Sequence, residues 1–293
     1  MKWLITGSNG QVGRIATEFL VSMQVDVVTL SAKDLDIANN QLVEAAIHFH
    51  RPDIIFNTAA WTNVDKAENE SQRAFEVNSL GPRNLAVAAR LTKSRLIHLS
   101  SDYVFNGLSS NPLLEDDQVC PVNVYGESKS LGEKLIMEEF PEGSMIVRTA
   151  WLYSKYGNNF AKSILRKALT SNEDLMVVND QFGQPTLAND LVEKVYELSS
   201  KSWESGIFHM TNTGYTSWYD FARAIIRSSD LNVDRVKPIP TSLSARLAAR
   251  PTFSVLSNLK LSKKGLHPMR AWDEAVHNSS RQIRAKVEEE IGV

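Results

Sequence analysis

Apolar residues along the chain follow two alternating rhythms. Short, nearly continuous apolar runs occur at Lys2–Thr6, Val25–Leu30, Asp53–Asn57, Arg95–Leu99 and Met145–Arg148. Runs of this length without alternation suit strands buried on both faces. Between them apolar positions recur every three or four residues, as at Val12, Ile15, Ala16, Phe19 and Leu20, and this spacing predicts helices. Further helices are expected over residues 39–50, 71–91 and 125–140, the first stopped by Arg51-Pro52 and the second bent near Gly81-Pro82. Strands alternating with helices predict an α/β fold, a doubly wound parallel sheet with right-handed crossovers.

After about residue 150 the rhythm loosens. Helices are expected over 160–170, 187–200, 217–228 and 271–289, with short strands at 175–178 and 207–210. Turn residues cluster from Asn179 to Pro185. Residues 1–150 are therefore expected to form the nucleotide-binding sheet. Residues 151–293 are expected to form mainly a smaller, C-terminal ligand-binding domain over the carboxyl ends of its strands, with some segments packing back on the first.

The first apolar run leads directly into Gly7-Ser8-Asn9-Gly10-Gln11-Val12-Gly13 and then a helical pattern. A strand, a glycine-rich turn and a helix N-terminus make a cradle for a pyrophosphate. Gly7 allows the tight turn, Gly10 lets the backbone approach the anion, and Gly13 lets helix and strand pack closely. The spacing is G-x-x-G-x-x-G, and its position after a strand and before a helix is what gives it weight.

Composition narrows the reading. Apolar residues are 43% and charged residues 23% of 293, with a formal net charge of −2. Nothing basic enough to hold nucleic acid or an anionic membrane is present, and no apolar run is long enough to span a bilayer. The one cysteine, Cys120, excludes an internal disulfide framework, and a cytoplasmic location is expected. The chain enters a strand pattern at its first residues, and no signal peptide is expected. His48, His50 and His98 lack metal-ligand spacing and are read as surface or satisfied core residues. Trp203, Trp218 and Trp272 are read as packing residues.

Tyr125 and Lys129 lie four residues apart at the start of a predicted helix, so they share a face. A tyrosine hydroxyl can give a proton to a carbonyl oxygen while hydride reaches the carbon. An unperturbed phenol, with a pKa of about 10, parts with its proton reluctantly, and a nearby ammonium is expected to lower that value. The lysine can also hold a ribose hydroxyl of a nicotinamide cofactor. Ser100 and Ser101 end the fourth strand on the ligand side, where a hydroxyl can orient the carbonyl.

These segments, with Asn57-Thr58-Ala59-Ala60, Ser100 to Gly107 and Tyr125-Gly126-Glu127-Ser128-Lys129, resemble the extended short-chain dehydrogenase/reductases, with their Rossmann-type sheet. Arg51 to Ile55, Thr62 to Glu68, Gly157 to Phe160, Asn179 to Thr186 and Arg250-Pro251 are similar to the dTDP-4-dehydrorhamnose reductase family in particular. The resemblance implies reduction of the 4-keto group of dTDP-4-dehydro-L-rhamnose to dTDP-L-rhamnose, with NADPH, or NADH, as hydride donor. It implies Tyr125 as general acid and Lys129 as its electrostatic partner and ribose ligand. Ser101 stands where the family commonly has threonine. Val64, Ser101, Asp102, Tyr103, Tyr125 and Trp151 are implied on the sugar side. Gly7, Gly10, Gln11, Val12, Gly13, Asp36, Ile37, Ala59, Ala60, Ser100, Tyr125 and Lys129 are implied on the cofactor side.

Two departures qualify the match. Where some family members carry a magnesium-binding glutamate at a dimer contact, this chain has Ile15, which cannot ligate a hard cation, so no metal is expected. The chain is expected to be a monomer or homodimer. The second strand is followed by Ser31-Ala32-Lys33, with no carboxylate before Asp34 to hold a ribose 2′-hydroxyl. Ser31 and Lys33 could accept a 2′-phosphate, which favours NADPH. Arg250 is expected to pair with the diphosphate of a nucleotide sugar. Two other readings stay open: reduction of a different nucleotide-linked 4-keto-6-deoxy sugar, or a regulatory subunit that binds a dinucleotide without turnover.

Overall fold

The computed structural model describes residues 1–201 and 203–292. The first half runs β1 (Lys2–Thr6), α1 (Gln11–Ser22), β2 (Asp26–Leu30), α2 (Asn40–His50), β3 (Ile54–Asn57), α3 (Val64–Asn69), α4 (Ser71–Phe75), α5 (Gly81–Thr92), β4 (Arg95–Ser101), α6 (Val124–Glu139) and β5 (Ser144–Thr149). The second half adds β6 (Leu152–Tyr153), α7 (Phe160–Thr170), β7 (Leu175–Val178), β8 (Phe182–Gly183), β9 (Thr186–Leu187) and α8 (Ala188–Lys201). It continues with β10 (Gly206–His209), β11 (Thr216–Ser217), α9 (Trp218–Ser228), β12 (Val236–Ile239), α10 (Leu259–Lys263) and α11 (Trp272–Ile291).

Six parallel strands form the central sheet in the order β10-β5-β4-β3-β1-β2. Alternate residues of each strand feed opposite cores. Trp3, Ile5, Ile54, Phe56, Ile97, Met145 and Val147 pack against α1 and α8 on one face. Leu4, Ile55, Leu96 and Ile146 pack against α2, α5 and α6 on the other. This two-sided burial is why the strands read as continuous apolar runs. A third core joins α7, α9, α11 and β7.

The late segments that return to the first sheet are α8, which packs on α1, and β10, which pairs with β5 at the sheet edge. Local patterning placed a short strand there but not its partner.

The helix expected over 71–91 is three segments rather than one. The chain passes from α4 through a wide, π-helical turn at Glu76–Leu80 into α5. Pro82 has no N–H to offer the Asn78 carbonyl, and the widened turn accommodates that gap. Gly132 of α6 packs directly on it: a Cβ there would lie 2.1 Å from the Asn78 carbonyl oxygen.

Most helices that begin near the ligand side are capped by a side chain. Asn39, Asn63, Asn123, Asn159 and Ser217 cap α2, α3, α6, α7 and α9. α1 starts at Gly10 without one.

Candidate active site

The carboxyl ends of the central strands open on a cavity of about 590 Å³. Its lining includes Gly7, Gly10, Gln11 and Val12 after β1, Asp36 and Ile37 after β2, and Ala59 and Ala60 after β3. Ser100, Tyr125 and Lys129 complete the same wall, with Gly157 and Asn158 from the second half. The uncapped start of α1 leaves backbone N–H groups at this cavity for an anion. Gly7 is left-handed (φ +66°), and a Cβ there would meet Ala59 backbone at 2.6 Å. Gly13 does not line the cavity but packs under the turn, where a Cβ would lie 2.5 Å from the Gly7 carbonyl oxygen. The Ser100 hydroxyl is buried without a partner and lies on this wall. An orphan donor and an open helix N-terminus suit a dinucleotide. Gln11 holds the turn to the second half, donating to Leu152 O at 3.2 Å and accepting from Asn159 Nδ2 at 3.2 Å.

Ser31 and Lys33 are arranged otherwise than expected. The Ser31 hydroxyl is buried and donates to Asp34 Oδ2 at 2.6 Å, forming a closed turn after β2. Neither residue lines the cavity, whereas Ala32 between them does. Asp36 reaches the cavity but is held by Arg73 at 2.9 Å, and Arg73 lines the cavity too.

Tyr125 and Lys129 project from the first turns of α6, whose position is fixed by Asn123. Its side chain accepts from Gly126 N at 2.8 Å and donates to Ala249 O at 2.7 Å. Tyr125 lies close enough to Ser101 for that hydroxyl to pull on its pKa, and the Tyr103 ring packs edge-on against it at 5.5 Å. Ser101 in turn donates to Asp102 Oδ1 at 3.0 Å, and Ser254 donates to Oδ2 at 2.6 Å. Burial pushes the Asp102 carboxyl up to about 6, against the pull of the two serine hydrogen bonds.

The expected lowering of the Tyr125 pKa is not what this arrangement gives. Burial, then the neighbouring Asp102 and Tyr103, hold the phenol well above its ordinary value, with only the nearby Ser101 hydroxyl opposing. Lys129 is turned elsewhere: its Nζ donates to Leu99 O at 2.6 Å and meets His98 Nε2 at 3.2 Å. Burial lowers Lys129 to about 8, with Glu133 opposing.

On the second-half side, Trp151 follows β5 in a left-handed conformation (φ 45°). Its indole stacks on Trp218 at 3.6 Å between centroids, and a Cβ at Gly183 would meet it at 2.4 Å. Trp218 lines a second cavity of about 340 Å³, shared with Phe160, Met176, Gln181 and Arg246. Val64 begins α3, next to Asp65. Arg250 grips Asp65 bidentately at 2.8 and 2.9 Å. The guanidinium lies close to Tyr103, and its Nε is buried without a partner. Arg246 lies close enough for Arg250 to lower its pKa, after burial as the main cause. Two arginines sharing one aspartate leave a net positive corner suited to an anion. Arg246 had no signal of its own beyond its spacing of four from Arg250. Asp65 lies in the Thr62 to Glu68 stretch, but nothing local in that stretch marks it as the partner of Arg250.

Ile15 is 1% exposed in the core beneath α1. Among the described residues no group of three or more His, Cys, Asp or Glu side chains is placed to hold a metal ion. No helix among them is long and apolar enough to cross a membrane.

A parallel sheet with a glycine-rich first turn, and a serine, tyrosine and lysine gathered beside it, define a reductase of the extended short-chain dehydrogenase/reductase class. Comparison with known proteins narrows this. Residues 1–285 match the family described as RmlD substrate binding domain. The chain is 40% identical to the dTDP-4-dehydrorhamnose reductase of Streptomyces griseus, over 95% of this chain and 92% of that one. It is 39% identical to the dTDP-4-keto-6-deoxy-D-glucose reductase of Streptomyces niveus, over 94% and 95%. The crystal structure of dTDP-4-dehydrorhamnose reductase from Bacillus anthracis in complex with NADP superposes with a TM-score of 0.91, at 38% identity over 94% and 97%. The chain belongs to the dTDP-4-dehydrorhamnose reductase family.

Proposed function

We propose that this protein reduces the 4-keto group of dTDP-4-dehydro-L-rhamnose to dTDP-L-rhamnose, using NADPH. The observation that carries this reading is the convergence of Ser101, Tyr125 and Lys129 at the end of β4, beside a cavity walled by the glycine turn. The nicotinamide, when bound, supplies the hydride. The Tyr125 hydroxyl supplies the proton to the carbonyl oxygen as negative charge develops there. Ser101 orients that oxygen by turning its hydroxyl, which donates to Asp102 in the unliganded protein, onto the carbonyl. Lys129 holds the ribose and, as an ammonium, favours departure of the tyrosine proton.

The glycine turn and the start of α1 hold the pyrophosphate. Gln11, Val12, Ile37, Ala59 and Ala60 wall the cofactor, and the unpartnered Ser100 hydroxyl gains a partner. Ser31 supports the turn after β2 rather than offering its hydroxyl and Lys33 does not line the cavity, so Arg73, which does, is the cation assigned to a 2′-phosphate. With Asp36 held by Arg73, no free carboxylate faces the cavity there to repel that phosphate. The B. anthracis relative, solved with NADP, supports the same preference.

Val64, Asp102, Tyr103 and Trp151 flank the sugar. Arg250 and Arg246 take the diphosphate, and the cavity beside Trp218 takes the nucleoside. The S. niveus relative supports a second reading, the same reduction on another dTDP-linked 4-keto-6-deoxy sugar.

The test is NADPH oxidation at 340 nm with freshly generated dTDP-4-dehydro-L-rhamnose and no added metal, followed by stereochemical analysis of the product. Turnover to dTDP-L-rhamnose is expected. Turnover only with a different keto sugar would favour the second reading. NADPH binding without turnover on any such sugar would favour a regulatory role.

A further inference from the structure

Lys129 meets a buried polar ladder that spans three strands. Thr6, Asn57 and His98 are register partners across β1, β3 and β4. Each is at most 1% exposed, as is Lys129. Asn57 Oδ1 accepts from the Thr6 hydroxyl at 2.6 Å and from Ala59 N at 3.2 Å. A backbone N–H can only donate, so the amide cannot be turned round without facing one donor with another. Asn57 Nδ2 therefore faces His98 Nδ1, at 2.8 Å. An amide nitrogen also only donates, so Nδ1 is the bare nitrogen of the ring. The neutral ring then carries its proton on Nε2, 3.2 Å from Lys129 Nζ.

An ammonium has three donors and no acceptor, so Nε2–H against a charged lysine is a clash of donors. A neutral amine satisfies every contact. It accepts from His98 Nε2–H through its lone pair and still donates to Leu99 O. The charged groups around this point do not reverse the balance. Glu133, one turn along α6, is bound by Arg148 through three contacts of 2.7 to 3.2 Å. Arg73 on the cavity wall is held by both Asp36 and Glu76, at 2.9 and 3.1 Å, neither of which contacts Lys129, and the Tyr125 phenol stays protonated.

We infer that His98, in the tautomer imposed by Asn57, is a positioning residue that loosens the proton of Lys129 in the cofactor-free protein, so that NADPH binding restores the ammonium with uptake of a proton. This rests on the reading of Lys129 as a ribose ligand. It gives the enzyme a lysine that is fully charged beside Tyr125 only once cofactor oxygens offer it acceptors.

Two measurements test it. In the cofactor-free, full-length protein labelled with ¹⁵N-histidine, the His98 signals are identified by their loss in His98→Gln. They are expected to show bare Nδ1 and protonated Nε2 throughout pH 6–9. The opposite tautomer, or an imidazolium, overturns the inference. Calorimetry of NADPH binding at pH 8.5, in two buffers of different ionisation enthalpy, reads the proton. With Lys129 near 8 before binding, the wild type is expected to take up between about half and one proton per site, against the background set by Lys129→Met.

Asn57→Asp puts an acceptor against Nδ1, reverses the tautomer and turns a lone pair to the ammonium. It is expected to bind NADPH with most of that uptake gone. Uptake equal to wild type in Asn57→Asp overturns the inference. Failure of the wild type to bind NADPH would instead break the reading of the cavity, while the tautomer still decides the role of His98.

Discussion

Asp102 is the most heavily buried carboxylate beside the reacting groups, and replacing it with asparagine has a calculable effect on stability. Its folded pKa is raised from 3.8 to about 6, with burial as the main cause. A raised value means the folded state binds the proton more tightly than the unfolded chain does. The associated stability is fully present below about pH 3.8 and is lost as pH rises through about 6. Above pH 7 the ionised, buried carboxylate thus costs about 3 kcal/mol relative to its neutral form, at 1.36 kcal/mol per pKa unit. Asparagine keeps the shape, accepts from Ser101 through Oδ1 and can donate to Ser254 through Nδ2. Asp102→Asn should therefore be more stable than wild type at pH 7.5 by ~1–3 kcal/mol, the lower bound allowing for imperfect hydrogen bonds. At pH 4 the advantage should shrink below about 1 kcal/mol, because the aspartate is then largely protonated. Urea unfolding of both proteins at the two pH values measures this. Turnover should fall in the variant, since the hydroxyl chain through Ser101 is altered. Equal stability at pH 7.5, or a gap that does not narrow at pH 4, would refute the reasoning.

Two further changes probe the sugar-nucleotide side. Gly183→Ala pushes a methyl into the Trp151 indole, which is stacked on Trp218. It should cost ~1–3 kcal/mol of stability and raise the KM for the sugar nucleotide, with the Kd for NADPH unchanged; calorimetry and steady-state kinetics separate these effects. Arg250→Ala removes a charge-assisted contact from the assigned diphosphate site and should raise that KM by ~10- to 100-fold with a smaller change in kcat. An unchanged KM would confine Arg250 to its ion pair with Asp65.

Local patterning made most of the first half legible, because each strand is buried on both faces and each helix on one. The strand β12 was hidden by Pro238, which breaks a strand reading, yet it pairs with β7 outside the main sheet. The placement of β10 beside β5 depends on long-range pairing that no local pattern encodes. At the site, Tyr125 and Lys129 were legible because helical spacing alone puts them together. What Lys129 touches was not. His98 reads as an unremarkable core histidine, and only strand register brings it, Asn57 and Thr6 into one line. The Arg250–Asp65 pair joins residues 185 positions apart, and the commitment of Ser31 to Asp34 depends on a turn whose closure no composition reveals.

The central claim is that Tyr125 gives the proton as the keto sugar is reduced. Its most direct test is stopped-flow absorbance at 340 nm, mixing NADPH-loaded wild type and Tyr125→Phe with dTDP-4-dehydro-L-rhamnose. The account predicts that the variant keeps its affinity for NADPH and loses roughly 10²-fold or more in the rate of NADPH oxidation. A variant that oxidises NADPH within a few-fold of wild type would contradict it and remove Tyr125 from the chemistry.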